Sequence, residues 1–284
     1  MRGLLTRTVD ARPLALSRIL IGLAALGVSF EWTLPLLRAA DGEYLALPVI
    51  PGAPVVAAPV VVWLYLVAVL GAVGMVLGVF GPVAPTLVAA SGAVALLADQ
   101  QAYSNHALLL VLLAALLAPS GAHRAFSVRR RGRPPAQVPY WPAFLIRALL
   151  SSVYLWTAIA KVNRDYLAGD VFANFGNGLM DALTPVLPVL AIASIATELF
   201  LGIGLWVRPL FPLVLLAGAG LHVGILATLQ DPFPLVLFAL LMAPAYVLAG
   251  AEWLRGGGAL AERTHDAWRR FRRRMRRRRP APTA

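Results

Sequence analysis

The chain has no cysteine, and it has only one lysine among its 284 residues. The first absence excludes disulfides, thiolate nucleophiles, zinc–thiolate sites and iron–sulfur clusters. The second leaves arginine as the working cation, 24 copies against the single Lys161. Charge of either sign is scarce: 13% of residues are Asp, Glu, Lys or Arg, while 60% are apolar. A water-soluble domain of this size needs more charged surface, so composition points to a membrane protein. No HExxH, P-loop, GxGxxG or GxSxG element stands in a setting where it would work. The four histidines are scattered along the chain, and no metal site is expected from them.

What the sequence has in abundance is long apolar runs, and a helix of about 20 residues crosses roughly 30 Å of hydrocarbon. About eight spans are expected. They run from about Leu14 to Leu37, from about Val55 to Phe80, then a shorter one ending near Ala98, and one from His106 to Pro119. The fifth starts near Trp141 and carries Lys161 towards its far end, followed by Pro188 to Val207, Leu210 to Leu229, and a last span ending near Gly250. The first run is too long for a signal-peptide core and reads as an uncleaved span.

Threaded alternately, these spans put the arginine-rich N-terminus, the 124–133 loop and the tail on one side. The acidic or neutral loops 38–54, 99–105, 163–185 and 230–232 fall on the other. By the positive-inside bias both termini are cytoplasmic. The expected fold is an all-α, polytopic membrane helix bundle of about eight transmembrane helices. It has a basic N-terminus (1–13), a membrane domain (14–250) and a basic tail (251–284). The net charge of +12 is thereby read as topology and lipid contact, with no nucleic-acid partner. The tail breaks at Gly256-Gly257-Gly258 and then places Trp268, Phe271 and Met275 at i, i+3, i+7. It reads as an interfacial helix on anionic lipid or, equally, as a disordered polybasic segment, with a membrane or peptide partner as a further option.

Lys161 is the most informative residue. Arginine keeps its proton in proteins, whereas a partly buried lysine can give its proton up. A lone lysine where arginine is the default cation therefore points to titration, against the alternative of a lysine snorkelling to the headgroups. His106 shares the expected outer level with it. Together with Asp99, Gln100, Tyr103 and Asn105, His106 forms a polar cluster entering an apolar helix. Such a cluster lines a cavity, or is an ordinary helix start capped by Ser104 or Asn105. Glu198 and His222 lie deeper, where ionisable residues mark function or a hydrogen bond between helices. Glu31 and Arg147 read as interfacial or paired.

Three stretches carry a resemblance. They are Asp99–His106 (DQQAYSNH) before a leucine-rich span, Tyr154–Gly169 (YLWTAIAKVNRDYLAG), and Glu198 with His222 and the Asp231-Pro-Phe-Pro run. Together, over residues 14–250, they resemble the HTTM (horizontally transferred transmembrane) domain shared with vitamin K-dependent gamma-carboxylase. The resemblance implies a bacterial multi-pass protein of the cytoplasmic membrane acting on a reduced quinone, menaquinol or a vitamin K-like quinol, near the extracytoplasmic face. In that chemistry a lysine deprotonates the quinol and O2 adds. The strong base so formed takes a proton from a glutamate γ-carbon, which captures CO2. Carried over, Lys161 is the base and His106 assists it or positions the quinone. Asp99, Tyr103, Asn105, Tyr154, Trp156, Glu198 and His222 are the candidate quinone-binding residues. Lys161, His106 and Asp99 are then expected to converge on one cavity. Two departures stand out: Ala160 occupies the position of the carboxylase's second lysine, and the carboxylase's large lumenal domain has no counterpart after the last span, so a propeptide-bearing substrate is not expected. A non-enzymatic membrane subunit or maturation or immunity partner is the alternative. A small-solute or ion carrier using Glu198 and His222 is a third, without the inverted repeat of broken helices such carriers show.

Overall fold

The computed structural model describes the backbone of residues 2–130, 132 and 136–277, and nearly all side chains up to Arg255. Eight apolar helices follow one another. In the first half these are α1 (Ala11–Ala40), α2 (Ala58–Leu77), α3 (Val83–Ala98) and α4 (Asn105–Leu117). In the second half they are α5 (Trp141–Ala160), α6 (Leu187–Gly204), α7 (Phe211–Thr228) and α8 (Pro232–Arg277). Six of the eight are long and apolar enough to cross a membrane: α1, α2, α5, α6, α7 and the Pro232–Arg255 part of α8. The other two are shorter, α3 with 16 residues and α4 with 13, or about 24 and 20 Å at 1.5 Å per residue. The expected count of eight thus divides into six full-length helices and two short ones.

Local sequence explains where the helices start. Asp10 caps α1 by accepting the Arg12 N–H at 2.8 Å, and Ser104 caps α4 by accepting from Ala107 at 3.1 Å. A proline occupies the first turn of α2, α5, α6 and α7, where its missing N–H has no partner to lose. Between them the helices keep their backbone bonds internal, as lipid requires. The main core is a continuous apolar cluster that includes Ile21 of α1, Leu110 and Leu113 of α4, Ile146 and Leu150 of α5, and Leu241 of α8.

The connecting segments gather at two ends of the bundle. At one end, Thr8–Asp10 pairs antiparallel with Gln137–Pro139. There, Arg18 donates to the carbonyls of Met75 and Phe126, and Ser127 donates to Gly78 O at 2.8 Å. At the other end, Gln100 N–H donates to Leu47 O at 2.8 Å. In the second half the segment after α5 folds into three short helices, Arg164–Ala168, Asp170–Phe175 and Gly178–Ala182. It is tied to the turn after α7 by Asn177 N–H on Thr228 O (2.8 Å) and Gln230 N–H on Phe175 O (3.1 Å). Helix α8 continues through Gly256–Gly258 to Arg277, where a break was expected. The side chains of Trp268, Phe271 and Met275, and residues 278–284, lie outside the described residues.

Candidate functional site

Polar residues recur along one face of α5: Arg147, Ser151, Tyr154 and, two turns on, Lys161. That spacing of four, three and seven keeps them on one stripe of a helix. Each finds a partner on a neighbouring helix, as polar groups inside a membrane protein must. Arg147 donates to Glu252 Oε2 at 2.6 Å and to Leu205 O, with its guanidinium 4.4 Å from the Trp206 ring centre. Ser151 donates to Gly202 O and accepts from Trp206 Nε1 at 2.9 Å. The Tyr154 hydroxyl lies 2.9 Å from His222 Nε2 on α7 and 2.6 Å from the Tyr246 hydroxyl on α8.

Lys161 closes the stripe. Its Nζ donates to Glu198 Oε1 of α6 at 2.6 Å, with side-chain exposures of 23% for the lysine and 6% for the glutamate. The second oxygen, Glu198 Oε2, is buried and has no hydrogen-bond partner. The Tyr166 ring stands 5.2 Å from the amine, and its hydroxyl is 2.7 Å from Ser194 Oγ. The residues after the lysine explain this placement. Asn163 caps the Arg164–Ala168 helix by accepting the Tyr166 N–H at 2.9 Å. Gly169, at φ +90°, ends that helix in a left-handed turn where a side chain would press on Leu187. The run from Lys161 to Gly169 is thus a device for holding an aromatic ring over the amine.

The second cluster belongs to α1 and α4. His106 Nε2 is hydrogen-bonded to Glu31 Oε2, and both line a cavity of about 370 Å³ with Arg38, Tyr44, Gln101 and Tyr103. Asp99, adjacent in sequence, turns elsewhere. It is buried and accepts the Leu47 N–H at 2.8 Å and the Gln101 N–H at 2.9 Å, so it ties two loops together. Asn105 accepts from the Tyr103 hydroxyl at 3.0 Å and lines a different groove, of about 360 Å³, with Trp156, Thr157, Ala160 and Phe238. Trp156 is 68% exposed.

Lys161, His106 and Asp99 therefore share no described cavity. Lys161 and His106 are each matched to a separate carboxylate, and Glu198 and His222 do not bond each other. Lys161 turns onto Glu198, and the expected meeting with His106 is not seen among the described residues. Among the described residues no cluster of three His, Asp or Glu is arranged to hold a metal ion. Sequence reasoning missed Tyr166, Tyr246 and Glu252 as partners. Tyr246 carries no signal of its own. Gly218 is its only trace, because a Cβ there would lie 2.0 Å from the Tyr246 hydroxyl.

Fold and site define a multi-pass membrane helix protein with ion pairs built between its spans. The HTTM domain family model matches residues 6–249, and the chain belongs to that family. No solved structure matches it.

Proposed function

We propose that this HTTM-domain protein is a membrane enzyme that oxygenates a reduced quinone, menaquinol or a vitamin K-like quinol, with Lys161 and Glu198 as its proton-transfer pair. One observation carries the reading. The only lysine of an arginine-dominated chain is turned inward onto a buried carboxylate at 2.6 Å, where one proton can pass between them. A lysine held only for interfacial charge would reach outward to the headgroups.

The amine must be neutral to take a proton, and Glu198 is the group that holds that proton first. The quinol hydroxyl then gives its proton to Lys161 Nζ, and O2 adds to the electron-rich ring. Quinol and O2 together yield the quinone epoxide and water, so no further oxidant is needed. In the carboxylase-like extension, the oxygenated intermediate takes a proton from a carbon acid and CO2 adds to the carbanion. The Asn105–Trp156 groove suits an apolar ring with one polar edge, and its lining residue Ala160 directly precedes Lys161. Tyr103 and His106, paired with Glu31, supply the polar mouth on the other side of α4. Asp99 supports that mouth through the loops. Tyr154 and His222 fix the deeper end of the α5 stripe.

The same reading has α3 and α4 crossing despite their length, for eight crossings in all. Both termini then lie in the cytoplasm and the Lys161 site at the extracytoplasmic face of a bacterial cytoplasmic membrane. Arg124 and Arg129, at the N-terminal end of the bundle, support that orientation, and the basic tail rests on anionic lipid.

The test is direct. Purified protein in detergent, given menaquinol and oxygen, should form menaquinone epoxide, measured by chromatography against a protein-free control. Formation no faster than the control overturns the reading. A second reading, a non-enzymatic membrane subunit, is favoured by one observation: Lys161 and His106 are each already paired within the chain.

A further inference from the structure

The N-terminal end of the bundle holds a cavity unrelated to the lysine site. It encloses about 340 Å³ between the starts of α1 and α5 and the Arg255 region of α8. Its walls divide by chemistry. Leu14, Ala143 and Leu248 are apolar and face the bundle, while Arg12, Tyr140 and Arg255 form a polar rim.

The electrostatics favour an anion at that rim. Two long helices, α1 and α5, begin at the cavity and turn the positive ends of their dipoles towards it. Three arginines line it against two carboxylates, and both carboxylates are committed. Asp10 accepts the Arg12 N–H and lies 4.0 Å from its guanidinium. Glu252 accepts from Arg147 at 2.6 Å and from Tyr140 at 2.8 Å. Arg255 spends its Nε on Ala251 O at 3.1 Å, and its terminal nitrogens have no described acceptor.

Arg147 adds a third positive charge behind the rim: its side chain lines the cavity and is only 4% exposed, with its terminal nitrogens donating to Glu252 Oε2 and Leu205 O.

We propose that this cavity is a binding site for an anionic phospholipid of the leaflet at the N-terminal end of the bundle, its phosphate at the arginine rim and an acyl chain against Leu14, Ala143 and Leu248. The apolar wall selects a lipid over a free phosphate. Basic pockets between membrane helices hold anionic headgroups by this combination. The site does not depend on the quinol reading.

The test uses the full chain in detergent, with lipid retained per protein read by native mass spectrometry. The wild type should keep one phosphatidylglycerol, and phosphatidylcholine at the same concentration should not replace it. Arg12 and Arg255 are exposed, so R12Q/R255Q folds, as circular dichroism will verify. It should bind phosphatidylglycerol roughly twenty-five-fold more weakly, about fivefold per arginine. A tail variant, R272Q/R273Q/R274Q, should retain the lipid. Three results overturn the proposal: loss of the lipid in the tail variant but not the rim variant, equal retention of phosphatidylcholine, or equal occupancy by glycerol 1-phosphate, which carries the anion without the chains.

Discussion

Replacing Lys161 with methionine should be more damaging to the fold than replacing its partner. The substitution keeps the length of the side chain but removes the donor to Glu198 Oε1, and the other oxygen, Oε2, already has none. A nearly buried carboxylate is then left with no partner at either oxygen. Removing one member of a buried pair costs about 3–5 kcal/mol. Because Lys161 is about a quarter exposed, water can reach part of the site, and ~2–3 kcal/mol is the figure to expect. Glu198→Leu should cost only about 1 kcal/mol, because the freed lysine sits at the end of α5 and can swing to the headgroups. The double variant should cost about 1 kcal/mol as well, since an apolar pair of like volume replaces an ion pair nearly neutrally. The two substitutions together thus fall short of their sum by ~2–3 kcal/mol. Reversible unfolding by SDS in mixed micelles, followed by far-UV circular dichroism, measures all three variants. Strict additivity, or a Glu198→Leu cost exceeding that of Lys161→Met, would refute the reasoning.

Other consequences are equally specific. Gly218→Ala puts a methyl group 2.0 Å from the Tyr246 hydroxyl, so it should destabilise by about 1–3 kcal/mol. Tyr246→Phe should not rescue it, because the ring carbon Cζ would be only 2.4 Å away; a rescued unfolding midpoint would show that the hydroxyl alone clashes. Tyr140, just outside the membrane helix, has its hydroxyl pKa raised above 10.0 by burial and then by its bond to Glu252. A raised pKa means the neutral form's contribution is present below pH 10 and lost as pH climbs through the higher value. The 295 nm tyrosinate signal that disappears in Tyr140→Phe should therefore develop only above pH 10. The lack of native cysteine permits clean topology mapping. A membrane-impermeant maleimide on intact cells should label Glu43→Cys, Gln100→Cys and Asp165→Cys, and reach Arg129→Cys only after lysis. Labelling at Gln100 decides whether the short α3 and α4 cross.

The helices were legible because apolar length is a local property. The expected start at Trp141 and end at Ala98 coincide with those of α5 and α3, and the other boundaries differ by a few residues, except that α8 runs on to Arg277 where the last span was expected to end near Gly250. The three-residue strands joining Thr8–Asp10 to Gln137–Pro139 were not legible, since three residues carry no period. Partnerships were the larger loss. Glu31 and His106 lie 75 residues apart and Lys161 and Glu198 37 apart, and no spacing rule connects such pairs. Sequence adjacency misled in one place. Asp99 and His106 read as one cluster, yet Asp99, Tyr103 and Ser104 are extended, and the chain reverses between the two so that each serves a different neighbour. Lys161 itself was legible from composition alone, because it was the exception to the chain's own use of arginine.

The central claim is that the Lys161 amine accepts the quinol proton. The most direct measurement is oxygen-dependent epoxide formation from menaquinol by the wild type, Lys161→Ala and Lys161→Arg, each first shown to be folded. A positioned base contributes about 10²–10⁴-fold, so both variants should fall by at least roughly a hundredfold, the arginine variant included because its guanidinium cannot take up a proton. Equal rates in all three would contradict the account.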